Sequence, residues 1–467
     1  MNKELVTQFV EQVKVDCCGG EVRGAKGDAE GMLRLELTVH ENLMRLGRET
    51  VRRLVSEIGT GGQGSEVSHD GQTYRFKGYR PKTVHGLYGA VRIVRAYYAT
   101  GNGSGWAPLD ERLGIGDGHT PACAYHLALF VGNEPYQSGS SHFHQIFRPD
   151  GTGKISLHKI EQMIDALGCR LEQQRQQEIV ALFDPGTAPP NVEVTGEITG
   201  TMVVCIDAGK APIKGNERVD NDNRTRYDRE FRDVKVASIS ALGWDGSRRE
   251  ARCTDTSYVA GIEHADEFFR RVWVEMNRRC SDLSKLCLVF IGDGAEWIWQ
   301  RVAELDNETS CRVLDFCHAA DHLADLCKLL DGEGSERCRE RFGRWRAQLG
   351  ASGPGQLLTE MHQERDAAVG SAKRDGIQAQ INYFEANRQR MNYPLYRDDG
   401  LPIGSGAVES ACKNVAARMK RSGTTWTLSG AKHLLQLRIS MMNSRFDRDF
   451  RQSLPALPDL HALPAAA

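Results

Sequence analysis

No CxxC pair occurs in the sequence, although it holds 13 cysteines. An odd, scattered set of thiols argues against a disulfide framework and against paired zinc knuckles, and suits a reducing compartment. No apolar run approaches the roughly 20 residues that a membrane helix needs. The first residues, MNKELVTQFVEQVKV, are amphipathic and lack the apolar centre of a signal peptide. Both observations lead to the expectation of a soluble, intracellular chain with no membrane partner. Excess positive charge is also missing: 60 Lys and Arg face 62 Asp and Glu, a formal net charge of −2. A protein that binds nucleic acid with this balance must segregate its basic residues. What remains is ordinary globular composition, 467 residues that are 40 % hydrophobic and 26 % charged, enough for two to four domains.

The stretch that organises the rest is residues 284–299, SKLCLVFIGDGAEWIW. Residues 286–291 form a short apolar run rich in β-formers, stopped by Gly292, Asp293 and Gly294. Such a run reads as a buried central strand in a sheet covered on both faces. Asp293 then stands at the strand's end, where ligands of open α/β sheets gather. It is either a favourable charge at the start of the next helix or a metal ligand. Residues 199–209, TGTMVVCIDAG, repeat the design with Asp207 after an apolar run. Asp and Gly also favour plain turns. Two carboxylates at neighbouring strand ends, however, can share divalent cations, and oxygen ligands suit Mg²⁺.

Residues 401–438 supply a third acid. A Gly-Ser-Gly loop precedes a helix expected over 407–419, with Glu409 in its first turn. Glu409 there is either a dipole-compensating charge or a ligand. From 410 to 440 the chain carries Lys413, Arg418, Lys420, Arg421, Lys432 and Arg438 and no acid. Exposed faces normally mix signs, so an acid-free basic run beside one acid fits an anionic polymer laid over a metal site.

CIDAGKAP, FIGDGAEWIW, LDFCHAADHL and IGSGAVESACKNVAARMKRSGTTW resemble, in that order, the motifs of bacterial insertion-sequence transposases of the DDE type, in particular the ISKra-like group. The resemblance spans residues 75–445. It implies a ribonuclease-H-like catalytic domain and a metal-binding triad of Asp207, Asp293 and Glu409. It further implies two Mg²⁺ (or Mn²⁺) ions, double-stranded DNA at element ends and target as partner, a homodimer or higher oligomer, and a bacterial nucleoid location. The expected reaction is strand cleavage followed by strand transfer. DNA-binding candidates are Lys413, Arg418, Lys420, Arg421, Arg92, Arg95 and Trp426, the last with core packing as its other reading. His318 and Asp321, from the shared H-x-x-D-H, are expected to support the site. Two alternatives stay open: a nuclease or resolvase of the same fold that does not join strands, and a catalytically silent DNA-binding repressor.

The remaining chain divides by pattern. Residues 1–60 read as helices and 59–72 as a linker. Residues 73–120 form a β-rich basic region, in which 73–98 interleave Arg75, Lys77, Arg80, Lys82, Arg92 and Arg95 with aromatics. That mixture either tracks phosphates and stacks bases or is a half-exposed sheet with its usual aromatic face. Relatives of the resembled group carry a cysteine pair after this segment; here residues 97–106 have none, so no zinc ribbon is expected. Residues 121–183 read as helical, with 138–168 either a helix–turn–helix or a plain hairpin. The stretch from Asp150 fails as a calcium loop, because position twelve would be Lys159. Residues 184–198 read as a Pro-rich linker.

The catalytic domain is expected over 199–445. It is read as α/β: a mixed five-stranded sheet in the order β-β-β-α-β-α-β, with Asp207 ending the first strand and a polar loop over 210–228. Residues 317–395 are a helical insertion. Cys311, Cys317, His318, His322 and Cys327 cluster there without zinc-like spacing. Residues 446–467 read as a tail.

Overall fold

Asp70 and Gly71 both take positive φ, 48° and 72°. A tight hairpin turn that continues the right-handed twist of its strands demands that conformation, and Asp-Gly supplies it cheaply. The turn joins β1 (Glu66–His69) to β2 (Gln72–Gly86), and β3 (Gly89–Ala99) and β4 (Gly105–Trp106) complete a sheet of order β1-β2-β3-β4. Part of the expected 59–72 linker is therefore strand. The computed structural model describes residues 3–18, 29–184, 196–219, 225–246, 250–305, 307–404, 406–420 and 424–454. Most of the 184–198 linker, Arg421 and residues 455–467 of the expected tail lie outside that set.

Two units make up the chain, residues 1–167 with 447–467, and residues 168–446. In the first, α1 (Lys3–Cys18) and α2 (Ala29–Ile58) precede the sheet. Val51, Val55 and Ile58 of α2 pack on Val84, Val91 and Ile93 of the β2–β3 hairpin. The short α3 (Pro108–Arg112) is followed by α4 (Pro121–Val131), α5 (Tyr136–Phe147) and the start of α6 (Leu157–Phe183). Arg148, 3 % exposed, donates to the carbonyls of Gly86, Leu87 and Gly153 at 2.8, 3.2 and 2.9 Å. Three carbonyl acceptors make a buried guanidinium tolerable, and here they tie the hairpin tip to the 149–155 loop.

The second unit is built on a mixed sheet of order β7-β6-β5-β8-β9: β5 (Thr201–Val219), β6 (Thr225–Asp245), β7 (Glu250–Gly261), β8 (Cys287–Gly292) and β9 (Cys311–Leu314). β6 runs antiparallel to both β5 and β7; β5, β8 and β9 run parallel. Met202, Val204, Ile206, Leu288 and Phe290 pack against α7 (Ala265–Arg279) and α8 (Glu296–Leu305) through Phe268, Val272, Ile298 and Val302. The alternate residues Val203, Cys205, Val289 and Ile291 are buried as well. Burial on both faces explains why these strands are continuously apolar, at about 1.5–3 kcal/mol for each large side chain removed from water.

Between β9 and the last helices lie α9 (Phe316–Asp331), α10 (Glu336–Ser352), α11 (Gly355–Ala367), α12 (Ser371–Ala386) and α13 (Tyr393–Asp398). Gly332, Gly353 and Gly370 take positive φ at the breaks between them. Ser335 caps α10 by accepting from the Cys338 amide. α14 (Gly406–Met419) packs on β5, α15 (Leu428–Met442) packs on β7, and α16 (Phe446–Ser453) closes the described chain. Asn443 satisfies both the N–H and the C=O of Tyr258 at 2.8 and 2.9 Å, covering part of the β7 edge.

The sequence expected Asp207 to end its strand and 210–228 to be loop. Instead β5 continues to Val219 and pairs with β6 from Thr225 onward, so Asp207 lies mid-strand. Beyond Asp207 the pair is a two-stranded ribbon. Ala211, Pro212 and Ile213 are buried one after another with polar residues on either side, so no apolar alternation marks the strand and the stretch reads as polar loop.

A row of acids at three parallel strand ends

In the parallel register, Ile206 pairs with Gly292, and Gly292 pairs with Leu314. The next residues on the three adjacent strands are Asp207, Asp293 and Asp315. Sequence reading singled out the first two and missed the third. Its signal was present, since the apolar CRVL is followed at once by an acid, as in the other two strands.

Each acid is held differently. Asp207 accepts from the Ala208 amide at 2.7 Å, and the Cys412 thiol of α14 lies against it. Burial pushes that thiol up, and the Asp207 charge pushes it further. Asp293 accepts from the Ala295 amide at 2.9 Å, and its own carbonyl accepts from the Trp299 indole at 2.8 Å. Burial lifts the Asp293 carboxyl above the usual carboxylate range, and the charges of Asp207 and Asp315 add to the lift. The Ala295 amide and His318 oppose that shift without cancelling it. Asp315, 1 % exposed, is the N-cap of α9 and accepts from the amides of Cys317 and His318 at 2.6 and 3.0 Å. A cap at a helix N-terminus offsets its burial.

Two insertion helices close on this row. His318 of α9 stands near enough to Asp293 to stabilise its charge, and Asp321, one turn on, is exposed. Tyr383 of α12 stacks on His322, with ring centroids 3.6 Å apart. Burial raises its phenol, and Asp293, Asp315 and Asp321 raise it further. Gly294 admits this approach: a Cβ there would meet Tyr383 Cε2 at 2.3 Å. His322 also meets Gln380 at 2.8 Å, so the His318–His322 pair is divided between the acids and the insertion core.

Glu409 does not join the row. Its carboxylate is exposed and takes an ion pair from Lys413, one turn along α14, at 2.7 Å. It does act on Cys412 and Cys317, which places it at the same end of the sheet. Among the described residues, no three or more His, Cys, Asp and Glu stand close enough together to hold a metal ion. The donors at hand are carboxylate oxygens, the kind that suits a hard cation, with His318 beside Asp293.

The DNA-binding candidates separate. Arg418, 2 % exposed, lies over the Trp426 ring at 5.1 Å, and Trp426 is 9 % exposed with its indole donating to the Met419 carbonyl at 3.0 Å. The backbone of Trp426 bridges to β5, accepting from Lys214 and donating to Pro212. Arg418, expected as a phosphate contact, and Trp426, for which core packing is the other reading, together fasten the end of α14 to the ribbon. A desolvated cation over an indole face has no free surface for DNA. Arg95 is corrected likewise: it pairs with Asp110 at 3.1 Å, as does Lys82 at 2.8 Å. Lys420 and Arg92 are exposed. Lys413 is exposed but engaged by Glu409.

Residues 219–452 match the model of the uncharacterised protein family UPF0236. No curated protein matches the chain. Among solved structures, the Drosophila P element transposase strand transfer complex aligns at 8 % identity over 65 % of this chain and 83 % of that one, with a TM-score of 0.19. Among the described residues no helix is long and apolar enough to cross a membrane.

Proposed function

The chain belongs to the uncharacterised protein family UPF0236, and we propose that it is a DDE-type transposase that cuts DNA strands at the ends of a mobile element and joins them to a target. The observation that carries the reading is the juxtaposition of Asp207 and Asp293 on adjacent parallel strands, with burial and like charge lifting Asp293. Carboxylates brought together at adjacent strand ends favour a divalent cation between them. The mixed sheet order β7-β6-β5-β8-β9 supports the ribonuclease-H-like assignment.

In this reading Asp207 and Asp293 would hold Mg²⁺ or Mn²⁺, and Glu409 would be the third ligand if it parted from Lys413. The ions would supply charge neutralisation at the scissile phosphate and a more acidic attacking oxygen. No side chain acts as nucleophile. The chain's own part is to position: Asp315 fixes the start of α9 and so the place of His318, while Tyr383 and Gly294 wall the row on the insertion side. Lys413, once released, would join Lys420 and Arg421 in holding phosphates, and Arg92 of the first unit would be a phosphate contact of its own.

The test is cleavage and joining of element-end DNA with Mg²⁺ or Mn²⁺ by the intact protein and by Asp293→Asn. The proposal expects the variant to bind DNA and fail to cut it; cutting by the variant overturns the assignment. Cleavage without joining would favour a nuclease or resolvase. Metal-independent binding with no cleavage would favour a repressor.

A further inference from the structure

The ribbon that β5 and β6 form beyond Asp207 has two unlike faces. Side chains alternate along a strand, so Asp207, Ala211 and Ile213 share the face on which α14 packs, and Ala211 and Ile213 are buried there. The other face is set by β6, where Tyr227, Arg229 and Phe231 follow one another at alternate positions. Phe231 pairs with Pro212, Arg229 with Lys214 and, past a bulge, Tyr227 with Glu217. Phe231 is 57 % exposed and Tyr227 46 %. Opposite them stand a proline and a glutamate, so the two rings do not pack on each other across the ribbon.

Two cations lie between the rings, and their contacts are neutral. The Lys214 amine is 5.0 Å from the centre of the Tyr227 ring, and Arg229 donates to the Thr424 carbonyl at 3.2 Å. The acids of this face are Asp233, taken up by Lys210 at 3.1 Å, and Glu217 at the outer end. The ribbon is also fastened: the Lys214 amide donates to the Trp426 carbonyl at 2.7 Å, and the Trp426 amide to that of Pro212 at 3.2 Å. Four residues separate the rings, about 13 Å along the strand.

We propose that this face is a stacking platform for single-stranded DNA, with one base on Phe231, one on Tyr227 and the phosphates between them on Lys214 and Arg229. Rings fixed on a sheet stack on unpaired bases; a duplex offers only its edges and backbone. The inference rests on the transposase reading for the source of the strand, which is DNA unpaired beside a cut. Asp207 opens the ribbon but points to its other face. The platform therefore holds DNA beyond the reacting phosphate, and losing it should raise KM for cleavage while leaving kcat unchanged.

Fluorescence anisotropy of a labelled oligo-dT with the full chain, in EDTA so that no cutting contributes, tests this. The wild type should bind, and Phe231→Ala and Tyr227→Ala should each weaken binding about tenfold. Tyr227→Phe keeps the ring and should bind like the wild type. Lys214→Ala with Arg229→Ala should flatten the dependence of log affinity on log salt by about 0.7 per lost contact. Both rings are half exposed, so circular dichroism and melting should not change; Phe231→Leu and Tyr227→Leu carry the same test if an alanine variant unfolds. A wild type that ignores oligo-dT, or ring variants that bind it undiminished, overturns the proposal. An equal loss on duplex DNA overturns the single-strand assignment. Asp293→Asn should bind oligo-dT like the wild type; if that variant still cut DNA, the transposase reading would fall and this binding result would stand.

Discussion

Ile206 and Gly292 are register partners on parallel strands, and the residue after each is an aspartate. Everything proposed about the chemistry depends on that pairing, because it delivers two carboxylates to one place without any loop having to fold over them.

Asp293→Asn should stabilise the fold while abolishing cleavage. The native carboxyl is lifted above its ordinary range, mainly by burial. The folded chain therefore binds that proton more tightly than the unfolded chain does. Its charge costs stability above the usual aspartate range, and the cost fades as pH falls through the raised value. Melting curves should show a gain at pH 7 that shrinks as pH falls toward the ordinary aspartate range. A loss of stability at pH 7 would show that the carboxylate is compensated.

Arg445→Ala should destabilise the second unit by about 3 kcal/mol, at the lower end for a broken buried pair. Arg445 grips Glu275 through both oxygens, at 2.5 and 2.7 Å, and Arg278 adds a contact at 3.2 Å. Burial alone would raise the Glu275 carboxyl, but Arg445 and Arg278 outweigh it and hold it low. That contribution is present above the ordinary glutamate range and is lost as pH falls through the depressed value. Chemical denaturation between pH 7 and pH 3 should show the wild type losing more stability than the variant.

Gly294→Ala should cost about 1–3 kcal/mol through overpacking, since its methyl would overlap the Tyr383 ring. Combining it with Tyr383→Leu should recover part of the loss. Additive losses in the double variant would place the strain elsewhere.

Trp426→Ala and the Lys420→Ala, Arg421→Ala pair should behave differently. The first removes a core ring and should cost about 3–5 kcal/mol in denaturation. The second should leave stability unchanged, weaken DNA binding for all sequences, and flatten the dependence of log affinity on log salt by about 0.9 per lost phosphate contact. An unchanged salt slope would remove both residues from the DNA contact.

Much of the second unit is legible in the sequence, because burial on both faces leaves continuous apolar runs at 202–206 and 287–291 and because Gly332, Gly353 and Gly370 mark the helix breaks. The positions of Asp207 and Asp293 follow from those runs. Asp315 was hidden by its own usefulness: an acid that opens a helix looks like a cap, and it is one. Arg418 misled because a basic residue in an acid-free run looks exposed, and only the tertiary fold reveals it lying over the Trp426 ring, whose core packing is the other reading in the sequence. The ribbon beyond Asp207 buries three consecutive residues, Ala211, Pro212 and Ile213, among polar ones, and so leaves no period of two to read.

On the side of β5 that faces β8, backbone pairing stops at Ile206 and resumes only at Ile213, where Trp426 takes over. Asp207 lies at the beginning of this unzipped interval. After Asp207 the strand is thus paired through β6 alone, beside the acids themselves. Amide exchange should be faster across 208–211 than across 202–206.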